Sequence, residues 1–203
     1  MKRLLTIAVA VAGVGLSAAA VAAAEAPVEG TWAKHQDTFT FMGFTSRYSC
    51  DGLQSKLTVL LKLAGARPDF KISSTCASPG GVPDRIATVR MTYHTLSPAG
   101  APPPAPSKDA AGKHQAQEPP EPGVGAWRSI ELTARAPRDI DSGDCELVDQ
   151  FAKEILPTFT TRDLVNRMSC VPHQSNPSGI YLKFSVLGAL PPPPKLAPVA
   201  SAK

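Results

Sequence analysis

Two cysteine pairs of nearly equal spacing, Cys50 with Cys76 and Cys145 with Cys170, constrain this chain more than any other feature. In each pair the first cysteine stands at the head of an amphipathic stretch. The second follows a short segment of strand character, "DFKISST" before Cys76 and "TRDLVNRMS" before Cys170. A turn-rich loop comes next, "ASPGGVPD" or "VPHQSNPSG", and then an alternating run. Ala87, Val89, Met91 and Tyr93 share one face of the first such run, and Ile180, Leu182, Phe184 and Val186 one face of the second, because successive side chains of a strand point to opposite sides. Each unit therefore reads as strand, helix, strand, strand. The expected fold class is α+β: two βαββ repeats packed as one pseudo-symmetric domain of about six strands, with both helices on one face.

The helical stretches carry their own punctuation. Leu53, Leu57, Leu60, Leu61 and Ala64 form one stripe at the 3.6-residue period, with Asp51 as the expected cap and Gly65 as the stop. Val148, Phe151, Ala152 and Ile155 do the same in the second unit, where Ser142 or Asp144 is the expected cap and Pro157 blocks continuation. Helices this short are marginal alone, so both must lie on a sheet. The opening strands carry the weaker signal. "DTFTFMGFTSRY" is expected to bulge or break at Gly43, and "AWRSIELTA", residues 126–134, is its expected counterpart.

Residues 1–24 have the layout of a secretory signal peptide: Lys2 and Arg3, an apolar tract, then small residues. Export follows, with a periplasmic or secreted location, and no later segment is apolar enough to span a bilayer. The first repeat is assigned to residues 25–96 and the second to 126–190. Residues 97–125 read as a disordered proline-rich linker and 191–203 as a proline-rich tail of the same kind. Removing the signal lowers the formal net charge from +4 to +2, and no long Lys/Arg run is present, so nucleic acid is not an expected partner.

In an exported chain four cysteines favour disulfides, and of three connectivities the repeat favours Cys50–Cys76 and Cys145–Cys170. If the two parallel strands of a unit are neighbours, their ends lie about 4.8 Å apart, within bridging range. If a third strand intervenes, a loop cysteine must lean inward.

No local motif states an activity. A nucleophile elbow, a phosphate loop and a paired-histidine zinc signature are all missing from the sequence. The run "RDIDSGDCE" departs from a calcium loop, with Gln150 where the bidentate Glu belongs, and its carboxylates are better read as helix caps. No cofactor or metal is expected. Trp32, Phe39, Phe41, Phe44 and Tyr48 cluster within one short stretch and are the candidate face for a small apolar ligand or a partner. The leading expectation is thus an exported, non-catalytic protein that binds an envelope protein or small ligand through its sheet surface. Two rivals stand beside it: a hydrolase assembled from distant residues such as His94, Asp84 or Asp163, and a redox-active envelope protein.

Overall fold

Alternating side chains and two apolar helical stripes resolve, in the computed structural model, into a mixed α+β fold. The structure describes residues 26–74, 82–101, 119 and 121–190. Among these, the elements in chain order are β1 (Val28–Met42), α1 (Cys50–Leu63), β2 (Lys71–Ser74), β3 (Ile86–Pro98), β4 (Glu121–Thr133), α2 (Cys145–Glu154), β5 (Thr161–Asn166) and β6 (Tyr181–Ala189). The six strands form one sheet in the order β2-β3-β1-β4-β6-β5, and every neighbouring pair is antiparallel.

Burial follows the pleat. His35, Asp37, Phe39 and Phe41 of β1 are buried, while the intervening Lys34, Gln36, Thr38 and Thr40 are exposed. The buried face meets Leu53, Leu57, Leu60 and Leu61 of α1 and Leu147, Val148 and Phe151 of α2 in one core. Ala87, Val89, Met91 and Tyr93 of β3 join it, as do Leu182, Phe184 and Val186 of β6. Each large side chain so buried is worth about 1.5–3 kcal/mol, which is what holds two short helices that would not persist alone. The opposite face of the sheet is turned away from both helices.

The helix ends differ from expectation in one respect each. Ser49, not Asp51, caps α1: its hydroxyl accepts from the Gly52 N–H at 3.1 Å, leaving Asp51 in the first turn, where its charge meets the positive end of the helix dipole. Gly65 does stop α1, with φ of 85°, and a side chain there would also strike the backbone of Gly188, 2.9 Å from an added Cβ. Before α2 the capping residue is Asp141, which closes a 3-10 turn at Ser142–Asp144 by accepting from the Gly143 N–H, while Asp144 accepts from the Asp141 N–H. Neither Ser142 nor Asp144 caps α2 itself. Pro157 lies in a new 3-10 turn, Leu156–Thr158, rather than prolonging the helix.

Strand limits move outward. β1 is a continuous 15-residue strand that ends at Met42, so Gly43 terminates it and does not bulge it. β3 runs to Pro98 and β4 starts at Glu121, so the ladder reaches into both ends of the segment assigned to the linker, pairing Gly30 with Pro98 and Thr31 with Pro122. Proline hides such strand ends from a reading by composition, yet it is tolerated where a ladder N–H is not required. β6 lies between β4 and β5, and β3 between β1 and β2, so in each half a third strand intervenes. Cys145 nevertheless bridges to Cys170, with Cα atoms 5.6 Å apart, because Cys170 lies four residues beyond β5 in a loop. Cys50 is disulfide-bonded as well; its expected partner, Cys76, lies outside the described residues, as do the signal segment, most of the linker and the tail.

Candidate functional site

Three polar groupings emerge from this framework, and they differ in what they can do. The first is buried under the Leu156–Thr158 turn. The Tyr93 hydroxyl donates to Asp37 Oδ2 at 2.6 Å and lies 3.0 Å from Thr158 Oγ1, while His35 Nε2 lies 2.8 Å from Thr95 Oγ1. The Tyr93 ring is stacked between His35 and Phe159, at 5.3 and 5.6 Å between ring centroids. Burial, then the Asp37 carboxylate, pushes the Tyr93 phenol far above its ordinary range. A His, a carboxylate and hydroxyls thus lie together, but each is engaged with protein partners in the core and all are buried. The grouping serves to satisfy polar atoms under the helices.

The second joins the turn after β1 to the head of α2. Glu146 accepts from the N–H groups of Phe44 and Thr45, at 2.9 and 3.0 Å, and from the Thr45 hydroxyl. Asp144 is 2% exposed; it takes Lys56 Nζ at 2.7 Å and the Tyr48 hydroxyl. Burial and this carboxylate hold the Tyr48 phenol well above its usual value. Gln150, at the position a calcium loop would give to glutamate, instead binds the Met42 backbone through both its amide atoms. Asp141, Asp144 and Glu146 of the acidic run thus spend carboxylate oxygens on protein donors.

The third grouping lies on the face away from the helices. Register puts Trp32 of β1 opposite Leu96 of β3, and Trp127 of β4 opposite Leu187 of β6, and these residues form a second apolar cluster on that face, in which Trp32, Leu96 and Leu187 are buried and Trp127 is half-buried. A guanidinium covers each indole: Arg67 at 5.9 Å from Trp32 and Arg162 at 4.2 Å from Trp127. Arg67 also pairs with Asp69 at 2.8 Å and with Glu121, and its Nη2 lies 3.1 Å from His94 Nε2. Since arginine only donates, His94 must accept there and is neutral, with its proton on Nδ1. Beside it, Trp32, Lys34, His94, Pro119 and Glu121 line a shallow cleft about the size of a water.

Both His35 and His94 have a proton affinity below that of a free imidazole. Burial is the main cause in each, opposed at His35 by Asp37 and reinforced at His94 by Arg67. The unfolded chain takes up these protons near pH 6.5 and the folded chain does not, so stability is complete above that value and falls as pH drops through it. The unfolding free energy from urea denaturation should decrease from about pH 7.5 to about pH 5, by at most about 1.4 kcal/mol per pH unit for each imidazole. A His94→Gln variant should show a flatter dependence; a flat profile in the parent protein would remove the argument.

The five aromatic residues read as one face are divided among three environments. Phe39, Phe41 and Tyr48 belong to the core beneath the helices, with Phe41 and Tyr48 edge to face at 4.8 Å. Trp32 lies on the opposite face, and Phe44 is exposed beside His173. Their spacing in sequence did not reveal this, because alternate residues of β1 point to opposite sides. Trp127, Arg67 and Arg162 were missed; the cue lay in two Trp residues and two Arg residues recurring at one interval. The hydrolase candidates do not converge: His94 is bound to Arg67 on β3, Asp84 bridges to Tyr48, and Asp163 sits on β5 at the far edge of the sheet. No family model matches the chain, and no match was found among curated proteins or solved structures.

Proposed function

We propose that the protein is an exported, non-catalytic binding module, built from two copies of a βαββ unit, that engages a partner of the cell envelope through the face of its sheet opposite the helices. The observation that carries this reading is the recurrence of an arginine stacked over a tryptophan in both halves of that face. The interval from Trp32 to Trp127 equals that from Arg67 to Arg162, from Cys50 to Cys145 and from Gly30 to Gly125. The strand order supports the duplication, since it runs second, third, first strand of one unit and then first, third, second of the other. Export is supported by the disulfide, and among the described residues no helix is long and apolar enough to cross a membrane.

An antiparallel sheet with helices on one side leaves its other side to water or to a partner. A partner protein is favoured over a small apolar ligand because the cleft beside Trp32 is too small to enclose one. The test uses a photo-crosslinking residue in place of Gln36, exposed on the open face, or of Lys62, exposed on α1. In an envelope extract the Gln36 position should give a discrete adduct and the Lys62 position none. Adducts from Lys62 alone, or from neither site, would refute the reading.

A further inference from the structure

Beyond that reading, we propose that His94 is a proton-operated latch: protonation of its imidazole drives the Arg67 guanidinium off Trp32 and uncovers that indole on the open face. Arg67 has three acceptors. Its Nε and Nη2 donate to Asp69 at 2.9 and 2.8 Å, its Nη1 to Glu121, and its Nη2 also to His94 Nε2 at 3.1 Å. The last of these bonds needs the imidazole lone pair. A proton on Nε2 removes that lone pair and sets two cations within hydrogen-bond distance of one another. His94 Nδ1 already lies 3.5 Å from Asp69 Oδ1, so the imidazolium has a carboxylate to take from Arg67. The backbone on both sides is held, since the Arg67 N–H donates to the His94 carbonyl at 3.1 Å and His94 stands within the β3 register opposite Lys34. What can move is the Arg67 side chain, because Asp69 and Glu121, with side chains 52% and 56% exposed, can follow it into water.

The charged groups around His94 come from every neighbouring element. Arg67 and Asp69 belong to the segment between α1 and β2, Glu121 to the head of β4 and Lys34 to β1; Lys71 of β2 stands one row on, opposite Thr92, and His35 of β1 lies on the other side of the sheet. Burial and then Arg67 lower the proton affinity of His94, Asp69 and Glu121 raise it, and Lys34 lowers it in turn. The second stack lacks this device. Two residues before Leu187, the place His94 holds relative to Leu96, β6 has Ser185, and Ser129 of β4 faces it as Lys34 faces His94. Arg162 therefore covers Trp127 with no imidazole in the matching row, and acid should leave that indole as it is.

The chain has two tryptophans, so Trp127→Phe leaves Trp32 as its only indole and Trp32→Phe leaves Trp127. Acrylamide quenching of Trp32 emission should be weak at about pH 7.5 and rise on acidification with a midpoint below about pH 6.5, while that of Trp127 stays constant down to about pH 5. His94→Gln keeps a neutral acceptor for Arg67 and should abolish the rise. In the unsubstituted chain the His94 imidazole, followed by heteronuclear NMR, should pass from the Nδ1–H tautomer to the imidazolium at the same midpoint. Far-ultraviolet circular dichroism should not change over this range; a coincident change would mean global unfolding and would overturn the latch. So would a Trp32 signal independent of pH, a rise that survives His94→Gln, an equal rise at Trp127, or an imidazole midpoint apart from that of the fluorescence. No partner is needed for these measurements, so their outcome is separate from that of crosslinking at the open face.

Discussion

Replacing Asp144 with alanine is expected to destabilise the protein by about 2–3 kcal/mol, below the range for a fully buried ion pair because Lys56 is partly exposed. Its carboxylate holds Lys56 Nζ at 2.7 Å, the Tyr48 hydroxyl and the Asp141 N–H at 2.8 Å. Alanine would leave Tyr48, itself 9% exposed, without an acceptor, and would leave the Lys56 ammonium only the Asp139 carbonyl at 2.7 Å and the exposed Asp141 carboxylate at 3.5 Å. The three donors come from the turn after β1, from α1 and from the loop before α2, so the loss would loosen the joint between the two halves and not one element. Asparagine keeps an acceptor and should cost less than alanine. Asp149→Ala, which breaks only the surface pair with Lys153 on α2, should cost about 0.3–0.5 kcal/mol. Urea denaturation of the three variants checks this ordering, and a loss below about 1 kcal/mol for Asp144→Ala would show that the cluster is not a joint.

Removing the Cys145–Cys170 bridge by a double alanine substitution should cost about 2–4 kcal/mol. The bond closes a loop with a sequence separation of 25 and fastens the first residue of α2 to the loop beyond β5. β5 needs that fastening more than any other strand in its half: it is six residues long, lies at the sheet edge and is exposed along most of its length, with a register shift between Arg162 and Val165. Hydrogen exchange should therefore show the largest loss of protection in β5 and at the head of α2, with α1 and β3 little changed. Uniform loss across the sheet would mean that the bridge acts on the whole fold, and unchanged denaturation midpoints would mean that it contributes nothing.

Strands β1 and β3 align Trp32 with Leu96 and Met42 with Ile86 near opposite ends of one continuous register, and the first pair is buried while the second is exposed.

Periodicity alone determined the buried stripe of α1, part of that of α2, where Leu147 was missed and Ala152 is only partly buried, and the inward faces of β3 and β6, because these depend on a repeat within a dozen residues and on the burial of one stripe. The near-equal spacing of the cysteines gave the pair that joins α2 to its loop. It also located the stops at Gly65 and Pro157, where backbone chemistry permits little else. The strand order, the true length of β1 and β4, and the division of Phe39, Phe41, Trp32 and Phe44 among core, open face and solvent were decided by pairing between residues far apart in the chain. A strand declares its period locally but not its neighbours, and a shift of one position exchanges the two faces. The guanidinium over each indole and the partners of the buried Asp144 come from elements far apart in the chain and meet only when the sheet and helices are assembled, which is why tertiary structure, and no motif, defines the candidate site.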